Sequence, residues 1–359
     1  MTSGSPLRFS RPTSRFAKRD RLAIASILSF VSNSLRLRSN FFREDINHSF
    51  SSRVNCLNRH EWRVLNMSLS PVRAGLQVKI DKAVQIIGQF NGAVVALSAG
   101  VDSSLVAALA SKALGDRVVA ITAVSESLAP GEIEIAKKTA RHIGIRHVVV
   151  TTDEVHNASY AANPSNRCYY CKDTLFRELR RQADNSGFKA ILDGTQLDDL
   201  GDVRPGLLAA KQAGVRSPLA EAGFSKRDVR ETAHLLGLEV WDKPAMPCLS
   251  SRISHGEEIT VEKLSQVGKA ESVVKRISGA RDIRVRHHGE VAAIEVSQEE
   301  LPLFHRDGLM KQVEKDLGLI GFTRVTLGPR KTTRRQATAV VGQDYLLPII
   351  NMSNHRYER

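Results

Sequence analysis

Cysteine is scarce in this chain, which has four cysteines in 359 residues. Two of them form CYYC, and four thiols in a chain of this size do not make a disulfide framework. A reducing compartment, with the thiols used for metal binding or redox chemistry, fits this usage better. Long hydrophobic runs are also lacking. Stretches such as AVVAL and HVVV are far too short to span a bilayer, so we expect no membrane association.

Positive charge is unevenly distributed along the chain. The net charge is +14, and residues 1–66 hold 12 Lys and Arg against 4 Asp and Glu, which leaves +6 for the rest. Such an Arg- and Ser-rich, acid-poor segment is typical of a transit peptide, so we expect a mitochondrial or plastid protein. The alternatives are a disordered basic tail or a true start at Met67, which would leave the protein cytoplasmic. The modest excess elsewhere argues against a nucleic acid partner.

From about residue 71, short apolar segments alternate with amphipathic ones. Strands are predicted at 93–97, 118–122, 147–150 and 190–194, and helices at about 103–114, 131–143, 172–184, 203–213 and 225–236. Buried strands that alternate with helices predict an α/β fold with a doubly wound parallel sheet.

After residue 252 the pattern changes. Helices at about 259–277 and 299–316 alternate with the strands IRVRHH, VAAIEV and FTRVTL. This order predicts a smaller C-terminal α+β domain whose sheet contains antiparallel strands. The expected organisation is a basic extension at 1–66, a nucleotide-binding domain at 67–256, a substrate domain at 257–328 and a tail without periodicity at 329–359.

The stretch LSAGVDSS, residues 97–104, has the context of a phosphate site, between a predicted strand and a predicted helix. It is neither a Walker A loop nor GxGxxG. The N–H groups of such a turn point at an anion, and a carboxylate there requires an accompanying cation such as Mg²⁺. The candidate ligands are Ser98, Gly100, Val101, Asp102, Ser103 and Ser104.

Three thiols lie outside the basic extension. NRCYYCK places Cys168 and Cys171 at the start of a predicted helix, where the helix N-terminus and the flanking Arg167 and Lys172 stabilise thiolates. WDKPAMPCLSSR, residues 241–252, adds Cys248. CxxC is a redox pair, half a zinc site or part of an iron–sulfur site, and three cysteines can hold a cluster with one open iron. The alternative is three cysteines that only pack.

Charged residues provide further candidates. Asp193 and Asp199 follow the strand at 190–194, where carboxylates serve Mg²⁺ or a ribose, or else cap helices. Arg252 is close enough to Cys248 to orient its thiolate or a substrate carboxylate.

Two arginines of RVRHH, Arg284 and Arg286, share one face of a predicted strand, because alternate residues of a strand point to the same side. Two guanidinium groups suit a nucleotide phosphate, and Glu295 on the next strand would orient them. The alternative is a solvated strand face.

Together these motifs resemble a known family over residues 70–327. The loop at 98–104 is similar to the SGGxDS loop of the PP-loop ATP pyrophosphatases, which have an adenine nucleotide alpha hydrolase-like fold; here Ala99 replaces a glycine. NRCYYCK, DGTQLDDLGDVRPG, SPLAEAG, WDKPAMPCLSSRI and RVRHH narrow the resemblance to the LarE family. That family comprises ATP-dependent sulfurtransferases of nickel-pincer cofactor biosynthesis.

This resemblance implies ATP and Mg²⁺ as cofactors, a small nucleotide substrate and a homo-oligomer. It implies that ATP adenylates a carboxylate of pyridinium-3,5-biscarboxylic acid mononucleotide, and that a sulfur nucleophile then displaces AMP. Asp102, Cys248 and Arg252 are the catalytic candidates. Family members with only the later cysteine sacrifice its sulfur, whereas those that also have CxxC hold a [4Fe–4S] cluster. With Cys168, Cys171 and Cys248 all present, the resemblance favours the cluster.

One departure is that GPRKTTRRQATAVVGQ stands where the family has an aspartate and a GYRxGS-like segment. The competing functions are a tRNA thiolase of the same superfamily and a degenerate ATP-binding protein without activity. A tRNA thiolase needs a basic RNA-binding surface, for which the excess of +6 is small. An amide-forming synthetase has no use for three such cysteines.

Overall fold

The computed structural model describes residues 71–201 and 204–330. The predictions for the basic extension, and for the tail after residue 330, lie outside these ranges. The described residues from Ala74 onward belong to one compact unit. Within the described ranges, no helix is both long enough and apolar enough to cross a bilayer.

The first part of this unit alternates strands and helices. Its elements are α1 (Pro71–Gly88), β1 (Ala93–Ala96), α2 (Val101–Leu114), β2 (Val118–Val124), α3 (Glu132–Ile143), β3 (Arg146–Thr151), α4 (Ala158–Ala161), α5 (Arg167–Asn185), β4 (Ala190–Leu192), α6 (Leu197–Leu200), α7 (Pro205–Gln212), α8 (Pro218–Glu221) and α9 (Lys226–Leu235).

These four strands form one sheet in the order β3-β2-β1-β4, and every pair is parallel. Side chains of β1 enter two hydrophobic clusters: Ala93 and Val95 pack in the cluster that contains α1 and α2, and Val94 packs with Phe176 of α5. Because apolar side chains leave both faces of the strand, helices cover both faces of the sheet. The predicted α/β fold with a parallel sheet is confirmed.

The second part contains α10 (Val261–Ser278), β5 (Arg284–His288), β6 (Val291–Val296), α11 (Leu309–Gly318) and β7 (Arg324–Pro329). Its sheet has the order β5-β6-β7, with β5 antiparallel and β7 parallel to β6. The alternate residues Ala292, Ile294 and Val296 of β6 are buried against α10 and α11. The small C-terminal α+β unit with an antiparallel pair is therefore present.

Two predicted helices have different bounds in the structure. The helix expected over 299–316 is a short 3-10 turn, Leu301–His305, followed by α11 from Leu309. Between them Gly308 has φ 74°, a left-handed conformation that ends one helix and precedes the next. Helix α5 begins at Arg167 instead of about 172, so both cysteines of CYYC lie inside it.

Candidate active site

The phosphate loop connects β1 to the N-terminus of α2. Gly100 occupies the N-cap position and gives no side-chain cap, so the first N–H groups of α2 are open to an anion. The hydroxyls of Ser103 and Ser104 donate to the Gly100 carbonyl at 3.1 and 2.8 Å, and Ser103 Oγ accepts the Ser98 N–H at 3.1 Å. The two serines of α2 therefore shape the loop, and the backbone faces the ligand.

Ala99, the residue that departs from the family's glycine, has φ 57° and is buried. This left-handed conformation is unfavourable for a residue with a Cβ. The Ala99 carbonyl accepts a hydrogen bond from the Lys243 ammonium at 3.0 Å, and Lys243 also pairs with Glu132 at 2.6 Å. A lysine from the cysteine-containing segment 241–252 thus holds the phosphate loop.

Asp102 lies in the first turn of α2. Its Oδ2 accepts from the Lys226 ammonium at 2.5 Å, whereas its Oδ1 is buried and has no hydrogen-bond partner. A buried carboxylate oxygen without a partner is expected to meet a cation or a donor when a ligand binds. The backbone of this turn is also tightly packed: a Cβ on Gly194 would lie 2.7 Å from the Ser103 nitrogen, so the position requires glycine.

The acidic residues after β4 are engaged within their own loop. Asp193 accepts from Ser217 Oγ at 2.7 Å and from the backbone N–H and hydroxyl of Thr195 at 3.1 and 2.8 Å. Asp199 forms the capping box of α6 with Gln196 and pairs with Arg204. In this structure Asp199 caps α6, as in the helix-capping alternative, whereas Asp193 connects its loop to Ser217, the residue before α8.

Cys248 is partly buried and precedes a 3-10 turn, Leu249–Arg252. Its carbonyl accepts from Ser251 Oγ at 2.8 Å and from Arg252 at 3.3 Å. Arg252 is fully buried, donates to the Pro247 carbonyl at 2.8 Å and pairs with Glu271 of α10 at 2.7 Å. In this structure the guanidinium of Arg252 is enclosed and positions the backbone of Cys248; its action on the Cys248 thiolate or on a substrate carboxylate stays a prediction.

The thiols of α5 differ from one another. Cys168 is exposed, whereas burial, and next the negative charge of Glu154, raise the pKa of Cys171 to about 12. The prediction that the helix N-terminus and neighbouring cations stabilise both thiolates is wrong for Cys171, since the effect of Lys172 is smaller than that of burial. Cys171 also packs in one hydrophobic cluster with Leu249, the residue that follows Cys248, so the cysteine helix lies next to the Cys248 turn.

No metal centre is preformed in the described part of the chain: among residues 71–201 and 204–330, no three His, Cys, Asp or Glu side chains are grouped so that they could hold a metal ion. Cys168, Cys171 and Cys248 are therefore not grouped as ligands of one metal ion in this structure.

Arginines converge at the edge of the small sheet next to the Cys248 turn. Arg286 pairs with Glu295 at 3.0 Å and donates to the Ser251 carbonyl at 2.5 Å. Burial, followed by the positive charges of Arg330, Arg252 and Arg286, lowers the pKa of Arg284. The Nε of Arg284 is buried and has no hydrogen-bond partner. Clustered guanidinium groups with an unused donor are suited to an anion.

A cavity of about 540 Å³ adjoins this arrangement. Its lining includes Lys243, which contacts the phosphate loop, and Met246, whose sulfur lies 3.4 Å from Arg252. Lys243 and Met246 therefore connect the wall of the cavity to the loop and to the cysteine turn, and its volume is sufficient for a small-molecule ligand.

Sequence reasoning missed Lys226, Lys243 and Glu271. Lys243 lies within the motif that holds Cys248, so its position in WDKPAMPC was an available signal. Lys226 and Glu271 reach their partners from 124 and 19 residues away, and nothing in their local sequence indicates this.

Comparisons with known proteins agree with this geometry. The Asparagine synthase family matches residues 82–199. An uncharacterized protein of Synechocystis sp. is 48% identical over 252 residues, which cover 70% of this chain and 94% of that protein. The pyridinium-3,5-bisthiocarboxylic acid mononucleotide synthase of Lactiplantibacillus plantarum is 35% identical over 257 residues, 71% of this chain and 91% of the synthase. One subunit of the glutamine-hydrolyzing GMP synthase of Methanosphaerula palustris is 27% identical over 211 residues, 55% and 68% of the two chains.

A parallel sheet whose first strand leads through an uncapped phosphate loop into a helix defines a PP-loop ATP-using enzyme. Within that class, the identity to the bisthiocarboxylic acid mononucleotide synthase and its coverage place the chain in the LarE family: it is an ATP-dependent sulfurtransferase of the adenylating PP-loop type.

Proposed function

We propose that this protein adenylates a carboxylate of a pyridinium biscarboxylate mononucleotide and converts it to a thiocarboxylate, in the synthesis of a nickel-pincer cofactor. The observation that carries the proposal is that one segment, residues 241–252, both contacts the phosphate loop and contains a cysteine. Lys243 holds the phosphate loop through the Ala99 carbonyl, and Cys248 follows it by five residues. An ATP site and a thiol are thereby brought to one region.

The first half of the reaction uses the phosphate loop. The open N–H groups at the start of α2 would bind the pyrophosphate of ATP, and Asp102 Oδ1 would meet Mg²⁺. Mg²⁺ would supply charge neutralisation of the phosphates. The substrate carboxylate attacks the α-phosphorus, a phosphoanhydride bond breaks, and the product is an acyl adenylate with AMP as its leaving group.

We propose Cys248 as the sulfur nucleophile of the second half. Its sulfur attacks the acyl carbon, AMP leaves, and a thioester forms. Loss of the Cα proton and cleavage of the Cβ–S bond then leave a thiocarboxylate and dehydroalanine at position 248. This route draws only on the chain's own sulfur. Arg252 supports the turn through the carbonyls of Pro247 and Cys248.

The test is mass spectrometry of the intact chain after turnover with the biscarboxylate nucleotide and ATP-Mg. We expect each chain to lose the mass of H₂S at Cys248 and one AMP to be released per sulfur transferred. Cys248→Ser would abolish sulfur transfer, while Cys168→Ser, at an exposed position of α5, would retain the single turnover. Turnover without any change in protein mass would contradict the sacrificial route.

The second candidate for the sulfur source is a cluster on Cys168, Cys171 and Cys248, favoured by the packing of Cys171 in one hydrophobic cluster with Leu249, the residue that follows Cys248. Anaerobic reconstitution with iron and sulfide separates the two routes. A brown protein whose iron–sulfur absorption is lost in Cys168→Ser or Cys171→Ser would support the cluster, and a colourless wild type would exclude it. Release of AMP with tRNA, and not with the pyridinium nucleotide, would overturn the substrate assignment.

A further inference from the structure

Asn163 lies between α4 and the cysteine helix α5 and has two unusual properties. It is fully buried, and its φ of 52° lies in the left-handed region, which favours glycine. Asparagine tolerates this conformation better than most residues, and its side chain often stabilises the local turn. The Nδ2 group of Asn163, however, donates to carbonyls about ninety residues away, so the conformation alone does not explain the residue.

The side chain of Asn163 bridges two distant segments. Its Nδ2 donates to the carbonyls of Ser254 at 2.7 Å and Glu257 at 2.9 Å, with Ile253 farther at 3.4 Å. Its Oδ1 accepts from Arg167, the first residue of α5, at 2.5 Å. One amide thus joins the start of the cysteine helix to the segment that follows the Cys248 turn, about ninety residues later.

Backbone hydrogen bonds extend the same junction. The Gly256 N–H donates to the Asn163 carbonyl at 2.9 Å, and the Ile259 N–H donates to the Ala161 carbonyl at 2.8 Å. The Tyr160 hydroxyl, at the end of α4, is 2.5 Å from Ser250 Oγ within the turn that follows Cys248. Contacts therefore connect the α4–α5 segment to the loop on both sides of residue 252.

We infer that Asn163 is a positioning residue that holds the Cys168–Cys171 helix in register with Cys248. This rests on the proposed function in its cluster form, because alignment of the three thiols matters only if they share one reaction. Asparagine fits the position because it donates to carbonyls and accepts from an arginine at the same time. Aspartate would keep the bond from Arg167 but would place a carboxylate against three carbonyls.

The test measures the alignment of the thiols without turnover. A short bismaleimide is allowed to link Cys171 or Cys168 to Cys248, and the yield, mapped by peptide mass spectrometry, is divided by the rate of single alkylation at each cysteine. In Asn163→Asp and Asn163→Gly we expect this ratio to fall by about tenfold, since each lost hydrogen bond shifts the aligned population several-fold. Asn157→Asp is the matched control, because Asn157 caps α4 by accepting from the Ser159 N–H and aspartate can do the same.

If Asn163→Asp does not fold, Asn163→Gly still provides the cross-linking ratio, because glycine adopts a positive φ without strain. If Asn163→Gly retains the wild-type ratio, Asn163 serves only the local turn and the inference is overturned. Failure of the wild type to transfer sulfur would contradict the proposed function, and it would leave the cross-linking ratios unchanged. The two failures are therefore distinguishable.

Discussion

Ala99 and Arg252 show how much of this site depends on single residues. Ala99 gives the phosphate loop its left-handed turn although it carries a Cβ. Arg252 places a full charge in the interior, where Glu271, two backbone carbonyls and the Ser251 hydroxyl compensate it. The sequence identified both positions through their motifs. It could not indicate that Arg252 is enclosed, because burial depends on helix α10 packing over the turn.

Substitution of Ala99 tests the strain of the phosphate loop. Ala99→Val should lower the free energy of unfolding by about 2 kcal/mol, because a β-branched residue is strongly disfavoured at positive φ. Ala99→Gly should change stability by less than about 1 kcal/mol, since relief of strain and loss of a buried methyl group oppose each other. Urea unfolding measures both. A valine variant as stable as the wild type would show that the loop adopts another conformation in solution.

Removal of one partner from the buried ion pair tests the role of Arg252. Glu271→Gln should destabilise the protein by about 3 kcal/mol, because it leaves a buried guanidinium without a counter-charge. Glu271 also accepts the Val285 N–H at 3.1 Å, so the cysteine turn, α10 and β5 meet at this carboxylate. Asp242→Asn, which removes an exposed partner 3.7 Å from Arg281, is the control and should leave the urea midpoint unchanged. Equal effects of the two substitutions would contradict the assignment.

Elements were predictable where hydrophobic pattern and local caps agree. The apolar strands of the parallel sheet were recognised, and so was α9, whose Ser225–Asp228 capping box is present. The helix over 299–316 was wrong because its apolar residues keep helical spacing across Gly308, whose left-handed φ the pattern does not reveal. The short helices α6 and α8 were missed, since four residues do not make a period.

The Arg216–Glu221 pair gives a pH-dependent test at the level of an element, because it clamps the start of α8 beside β4. Two hydrogen bonds from Arg216 lower the pKa of Glu221 below its ordinary value of 4.5. The pair therefore stabilises the fold above the unfolded pKa, and this stabilisation is lost as pH falls through the folded pKa.

Urea unfolding of wild type and Glu221→Gln from about pH 6 to about pH 3 measures this contribution. The difference in stability should be largest at the upper end and should decrease as the pH falls. A difference that does not depend on pH would show that the pair contributes through shape and not through charge.

At the scale of the whole molecule, the site is assembled from segments far apart in sequence. The phosphate loop, the cysteine helix, the Cys248 turn and the small sheet were each recognised as motifs. Their junctions were not, because Lys243, Glu271 and Asn163 act on backbone or charges that sequence spacing does not bring near. Sequence motifs show which functional side chains are present, but the contacts between them depend on the packing of the folded chain.

Arg284 provides a test of the proposed nucleotide end of this assembly. Arg284→Gln should raise the half-saturating concentration of the pyridinium nucleotide about tenfold and leave that of ATP unchanged, since a charge-assisted hydrogen bond to phosphate is lost. Single-turnover AMP release at increasing concentrations of each substrate measures both values. Arg276→Gln, at an exposed arginine of α10, is the matched control. An equal increase in both half-saturating concentrations would place Arg284 at ATP or in a purely structural role.

Arg286 contacts two parts of the site. Its guanidinium donates to the Ser251 carbonyl in the turn after Cys248, and it pairs with Glu295 on the small sheet. A ligand phosphate that draws Arg286 away would release the turn that carries Cys248. Thermodynamic linkage then requires reciprocity: a nucleotide that favours the released turn binds more tightly to molecules in which the turn is already released. The thiol would in that case report, through its own reactivity, whether the far end of the substrate is bound.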